Sequence, residues 1–259
     1  MNLKVMTYIA AVSSKQLKDI TLHSMCSIYN DAIWKYEDND VDINGLFEVK
    51  GFYINLDHRK DRKMHVENQL GRIQMSENIK RFNAVKNTNG RIGCSLSHLK
   101  CIQMAKEANM ECVMIIEDDI LFLLPDEFVE NANAFFLNKK NKWDVLLLAG
   151  NNLPPFITND NGSIKVSHCQ TTTGYIVKRH YYDTLISNIK EGITKLMREP
   201  EHHYYYAIDK YWLHLQKQDR WMLLIPIIVV QKPDYSDIEK KYTDYQRIMS
   251  SVDKSEFIK

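Results

Sequence analysis

Residues 113–120 read V-M-I-I-E-D-D-I, an apolar run that ends in three adjacent carboxylates, Glu117, Asp118 and Asp119. A continuous β-branched and large apolar run of this length fits a strand buried on both faces. Three like charges at its exit repel one another, and either a cation among them or full solvation relieves the repulsion. Two readings follow: a divalent-metal site that receives a polyanion, or a solvated acidic turn.

Two upstream segments bear on that choice. Residues 51–56 (G-F-Y-I-N-L) form another strand-like run, followed by D-H-R-K-D-R over 57–62, where cations meet the start of a helix. Unpaired N–H groups at a helix start and guanidinium forks both favour phosphate oxygens. Residues 90–100 read G-R-I-G-C-S-L-S-H-L-K, with glycines that allow close backbone approach ahead of a helical segment. Cys94 and His98 stand four apart on that helix, a spacing that also admits a thiol nucleophile with a histidine base.

In this order and spacing the motifs resemble glycosyltransferase family 25, the lipooligosaccharide and collagen glycosyltransferases. The matching pieces are Y-I-N-L-D-x-R-x-D-R over 53–62, R-F-N-A-V over 81–85, G-x-I-G-C-x-L-S-H over 90–98 and I-E-D-D over 116–119. Q-K-P-D-Y-S-D-I over 231–238 is similar to the family's closing motif. The combination is far more specific than any one motif. Arg91 departs from the pattern, which usually has an acid there.

The resemblance implies an α/β fold of the nucleotide-sugar-binding (GT-A) type, a mostly parallel central sheet flanked by helices. It also implies a metal-dependent, inverting hexosyltransferase that takes a UDP-sugar donor, UDP-galactose or UDP-glucose, and a glycan or protein-linked hydroxyl acceptor. Mn²⁺ or Mg²⁺ would neutralise charge on the departing diphosphate. Glu117 and Asp119 are the expected metal ligands, because alternate residues of an extended strand share a face. Asp237 is the candidate third ligand, with His168 and His214 as rivals. Asn55, Leu56, Arg59, Arg62, Ala84, Ser97, His98 and Asp118 are expected to line the donor pocket, and Cys94 to pack beneath it.

Inversion requires a base for the acceptor hydroxyl. Residues 200–212 (P-E-H-H-Y-Y-Y-A-I-D-K-Y-W) gather aromatics around Asp209, and aromatic rings beside a carboxylate suit a sugar acceptor. Asp209 is therefore the candidate base. A helix-capping aspartate would look the same in sequence, and some of these rings would then be core.

The elements that must carry these residues alternate. Strands are expected over 51–56, 79–83, 112–117 and 144–148, and helices over 59–70, 95–108 and 125–137. Such alternation predicts a mostly parallel sheet with ligands at the carboxyl ends of its strands. Further on, N-D-N-G over 159–162 signals a hairpin, residues 171–178 a strand, and 179–189 a helix. Pro226 within 221–230 places that run at a sheet edge or bulge.

With 259 residues, 44% of them hydrophobic, the chain can bury one large α/β core, and a net charge of +1 gives no electrostatic reason to expect nucleic acid. The expected organisation is an N-terminal appendage and linker over 1–44, a catalytic domain over 45–240, and a charged tail over 241–259. Five cysteines with no C-x-x-C pair point to a reducing, cytoplasmic setting. Residues 1–13 make a poor signal peptide, and no run is long enough to span a bilayer. The rival classes are a catalytically silent sugar- or nucleotide-binding protein and a metal-dependent phosphohydrolase or nucleotidyltransferase.

Overall fold

The computed structural model describes residues 43–159 and 162–257. Most of the expected N-terminal appendage, and Cys26 with it, lies outside the described residues.

The chain runs β1 (Gly51–Asn55), α1 (Lys60–Arg72), β2 (Ile79–Asn83), α2 (Gly90–Glu107), β3 (Cys112–Glu117), β4 (Ile120–Phe122), α3 (Pro125–Leu137) and β5 (Val145–Leu147). Short strands follow: β6 (Asn151–Asn152), β7 (Phe156–Thr158), β8 (Ser163–Val166), β9 (Cys169–Gln170) and β10 (Gly174–Lys178). Next come α4 (Tyr182–Arg198), α5 (His203–Tyr206), α6 (Ile208–Tyr211), α7 (Leu213–Gln218), β11 (Trp221–Leu224) and β12 (Val229–Gln231). The chain ends with β13 (Asp234–Ser236), β14 (Lys241–Thr243) and α8 (Gln246–Ser250).

Eight strands form one sheet in the order β2-β1-β3-β10-β5-β11-β8-β7. Six of them share one direction, while β10 and β8 run against it. This is the α/β class with a mostly parallel sheet that strand–helix alternation predicts. Val113 to Ile116 of β3 are wholly buried, as a strand covered on both faces requires. Asn89 caps α2 by accepting from the Arg91 N–H at 3.1 Å. Pro125 opens α3, with Asp126 and Glu127 in its first turn, where the helix dipole favours acids.

Because β1, β2 and β3 run in one direction, Asn55, Asn83 and Glu117 emerge at the same edge of the sheet. The inverted β10 brings its beginning to that edge, and the Thr173 carbonyl accepts from the Glu117 N–H at 2.9 Å.

Four sequence expectations change. The run 221–230 is not an edge strand: β11 lies inside the sheet between β5 and β8, and Pro226 follows its end, where no ladder hydrogen bond is lost. The strand expected over 171–178 begins only at Gly174. The helix expected over 95–108 begins earlier, at Gly90, and the residues expected as a charged tail carry β14 paired with β13, a buried Met249 and a Val252 carbonyl that accepts from Asn152 Nδ2 at 2.9 Å. The expected β7–β8 hairpin is present, with Gly162 at φ +70°.

The closest constraint in the sheet is at Gly51. A β-carbon there would stand 1.9 Å from the Met114 carbonyl oxygen of the neighbouring strand. Gly51→Ala should therefore push β1 off β3 and cost about 1–3 kcal/mol, read as a lower denaturant midpoint; an unchanged midpoint would show that the strands yield freely.

Candidate active site

β3 ends at Glu117, and Asp118 and Asp119 form a turn before β4. The alternation that would put Glu117 and Asp119 on one face therefore stops at the first acid. Glu117 Oε1 instead receives Thr172 Oγ1 at 2.9 Å, His98 Nε2 at 3.3 Å and Cys94 Sγ at 3.5 Å. Asp118 and Asp119 turn to Arg62, whose Nη1 donates to Asp118 Oδ1 at 3.0 Å and to Asp119 Oδ2 at 2.9 Å. The structure thus separates the expected ligand pair into two environments.

Arg62 reaches further. Its Nε donates to Asp234 Oδ2 at 3.2 Å and its Nη2 to the Tyr235 carbonyl at 3.1 Å. Arg59, at the start of α1, contacts Asp61, Asp234 and Asp237, the last at 2.6 Å. Asp237, the expected third metal ligand, is thereby committed to a guanidinium. Gln231 donates to Asp119 Oδ2 at 2.8 Å, and the Lys232 N–H to the Asp119 carbonyl at 2.7 Å. The closing motif is therefore laid against the acidic turn.

Asn55, at the end of β1, donates to Asp118 Oδ2 at 2.7 Å and is itself fixed by Arg81 Nε at 3.0 Å. Leu56 and Ala84 are half-buried beside it, and the Ala84 N–H bonds the Asn55 carbonyl at 3.0 Å. Ser97 and His98, expected to face the donor, are both fully buried. Ser97 Oγ accepts from the Val85 N–H and donates to the Gly93 carbonyl, stitching the loop after β2 to α2. Gly93 permits this approach, since a β-carbon there would be 2.6 Å from the Val85 oxygen. Neither side chain is exposed in the structure. His168 contacts Gln170, and His214 contacts Asn188.

Asp209 lies in α6, whose N-cap is Ala207 and whose start carries no side-chain cap. Its Oδ2 accepts from the Thr171 N–H at 3.2 Å, just ahead of β10. Of the rings around it, Trp212 is core, whereas Tyr204 and Tyr205 are exposed.

The electrostatics separate the acids. Burial pushes Asp119 up to about 7, with Glu117 adding to the rise against the pull of Arg62. Burial also raises Asp118 above the ordinary carboxylate range, against the pull of Arg62. For Glu117, burial works in the same sense, but the hydrogen bonds from His98 and Thr172 outweigh it and hold the group low. Burial raises Asp209. Cys94 is pushed well above the thiol range by burial and then by Glu117, which removes the thiolate that a cysteine nucleophile needs.

Asp119 Oδ1 is buried without a hydrogen-bond partner among the described residues. An oxygen-only, acidic set with one orphaned lone pair suits a hard divalent cation. Sequence reasoning missed how Arg62 binds the two aspartates, how Arg81 orients Asn55 and how Thr172 holds Glu117. The first two lie within motifs already singled out, but no local signal tells which acid each arginine meets. Arg91, the departure from the motif, pairs with Glu239 at 2.6 Å.

The family described as glycosyltransferase family 25 (LPS biosynthesis protein) matches residues 75–212, just over half of the chain. No curated protein sequence matches it. One similar solved structure is a glycosyltransferase involved in the glycosylation of the major capsid of PBCV-1: identity is 12%, TM-score 0.45, coverage 74% of this chain and 96% of that one. A nucleoside-diphosphate-sugar pyrophosphorylase from Vibrio cholerae RC9 is similar at 13% identity and TM-score 0.35, over 79% and 91% of the two chains. A Drosophila β1,4-galactosyltransferase 7 in complex with manganese, UDP-Gal and xylobiose is similar at 12% identity and TM-score 0.29, over 76% and 72%.

Removing the Arg62 guanidinium would leave Asp118 and Asp119 buried without their shared cation. Arg62→Ala should cost roughly 3–5 kcal/mol of stability, and Asp119→Asn in the same chain should return part of it. Additive losses in that double-mutant cycle would show that the pair is not coupled.

Proposed function

The chain belongs to glycosyltransferase family 25, and from that premise we propose that it moves a hexose from a UDP-sugar, with inversion, to a hydroxyl of a glycan or a glycosylated protein. The observation that carries this reading is the buried acidic turn at the carboxyl end of β3, with Asp119 Oδ1 unpartnered among the described residues and arginines on its flank. Asp119 and Asp118 are the residues that would hold Mn²⁺ or Mg²⁺. Such a cation supplies Lewis-acid neutralisation of a leaving diphosphate.

The chain's own groups account for the rest. Asn55 orients Asp118, and Arg81 orients Asn55. Arg59 and Arg62 supply cationic donors beside the acids, suited to diphosphate oxygens once their carboxylate partners share them. Asp209 takes the proton of the acceptor hydroxyl. The hydroxyl oxygen attacks the anomeric carbon opposite the diphosphate, the old C–O bond breaks, and its electron pair leaves with UDP. Exposed Tyr204 and Tyr205 offer apolar faces to an acceptor sugar.

Asp209→Asn keeps the shape of the side chain and removes its basic lone pair. Transfer should fall by about two to four orders of magnitude, with UDP affinity unchanged; near-normal transfer would exclude Asp209 as the base. Because burial raises Asp209, transfer in the parent protein should fade on acidification at a pH above the ordinary aspartate range. The linkage runs the same way: a raised folded-state pKa gives stability at low pH that is lost as pH rises through it. At neutral pH, Asp209→Asn should therefore melt no lower than the parent, and a lower melting temperature would contradict that sign.

The metal requirement is tested separately. UDP should bind more tightly with Mn²⁺ than with chelator, and Asp119→Ala should abolish the difference. Equal affinity with and without Mn²⁺ in the parent would overturn the role of the cation. Release of UDP from no member of a UDP-sugar panel, with acceptor present, would leave a binding protein on this fold.

A further inference from the structure

Glu117, turned away from the other two acids, belongs to a second cluster that the transfer chemistry does not use. Cys94 and His98 project from one face of α2 at helical i,i+4 spacing, and Glu117 meets them from the end of β3. One ligand atom from each of the three residues lies within 4.8 Å of the others. We propose that Cys94, His98 and Glu117 form a binding site for a borderline divalent transition metal of the zinc class, distinct from the hard cation of the acidic turn.

The geometry is the first reason. In a tetrahedral site with Zn–S about 2.3 Å and Zn–N or Zn–O about 2.0–2.1 Å, ligand atoms stand roughly 3.3–3.5 Å apart. The observed separations are 3.5 Å for Cys94 Sγ to Glu117 Oε1 and 3.3 Å for His98 Nε2 to the same oxygen. The third separation, Cys94 to His98, lies within 4.8 Å, so an ion would enter by drawing these side chains together.

The surroundings are the second reason. His98 Nδ1 lies 2.9 Å from the Tyr175 hydroxyl; on loading, the ring would exchange the Nε2–H it gives Glu117 for an Nδ1–H donated to that hydroxyl, which frees the Nε2 lone pair for the ion. Ring and hydroxyl are fully buried, so this orientation is fixed. Thr172 Oγ1, 2.9 Å from Glu117 Oε1, adds an outer partner that holds the carboxylate in place.

The donor set is the third reason. One thiolate, one imidazole and one carboxylate select a borderline ion such as Zn²⁺ or Co²⁺ over Mg²⁺ or Ca²⁺. Loading would release the Cys94 thiol proton to solvent. Such an ion would clamp α2 to the end of β3 directly beneath the acidic turn.

Without metal, the same side chains make an ordinary hydrogen-bond cluster around Glu117 Oε1, so the test must separate the two states. The whole chain, stripped with chelator, would be titrated with Co²⁺ alone. The expected result is one equivalent bound, with a near-ultraviolet thiolate-to-cobalt charge-transfer band and the visible absorption of a four-coordinate ion. Cys94→Ser should abolish the charge-transfer band, whereas Cys26→Ser and Cys101→Ala should keep it. No such band, or a band that survives Cys94→Ser, would overturn the site. X-ray absorption of the zinc-loaded parent decides the matter even if a variant fails to fold. One sulfur with nitrogen and oxygen neighbours supports the site, and a shell without sulfur refutes it. None of these readouts depends on sugar transfer, so their failure leaves the proposed function untouched.

Discussion

One guanidinium holds the candidate active site together. Arg62 extends from α1 and bonds Asp118 and Asp119 in the turn after β3, Asp234 in β13 and the Tyr235 carbonyl. Its side chain is 12% exposed, so these contacts form largely out of water, where an unpaired carboxylate is costly. Two adjacent buried aspartates are tolerable only with a cation this close. The same contacts draw the closing motif over the carboxyl ends of β1 and β3, so a local charge requirement also sets the long-range placement of residues 231–239.

What the sequence discloses follows from how locally each feature is encoded. β3 is legible because a strand covered on both faces must be apolar throughout, and its wholly buried residues 113–116 meet that demand. The helix after Asn89 is legible only in its body: the expected start is Ser95, whereas Asn89 caps a start at Gly90, five residues earlier, that the two glycines obscure. Glu117 is not, because the pairing of alternate residues assumes that the strand continues, and β3 ends at the first acid. The central place of β11 is hidden too: Pro226 marks where the strand stops, but reads like a residue within it. Arg62 meets Asp234 across 172 residues, a partnership no local pattern carries.

Arg91 shows how a single departure misleads when its partner is out of view. Alone, a cation in place of the usual acid suggests a damaged site. In the fold it faces Glu239 at the end of the closing motif, with Gly90 against Ile238 beside it. The contact between the start of α2 and the closing segment is therefore an ion pair in this chain. Both partners are partly exposed, so its value is modest, and orientation rather than stability is what it supplies.

The three consecutive acids have the same chemistry and three different environments. Glu117, the last residue of the strand, receives donors from α2 and from the segment before β10 and stays ionised. Asp118 is saturated by Asn55 and Arg62. Asp119 shares Arg62 and Gln231 on one oxygen and leaves the other unpartnered among the described residues. Because desolvation disfavours charge, that unmet oxygen is where an incoming cation gains most. The division arises from one backbone event, the end of β3 between Glu117 and Asp118, which sends the first acid toward α2 and the next two toward α1. Had the strand run two residues further, Glu117 and Asp119 would have shared a face, and neither the Arg62 bridge nor the Cys94–His98–Glu117 cluster could form as it does.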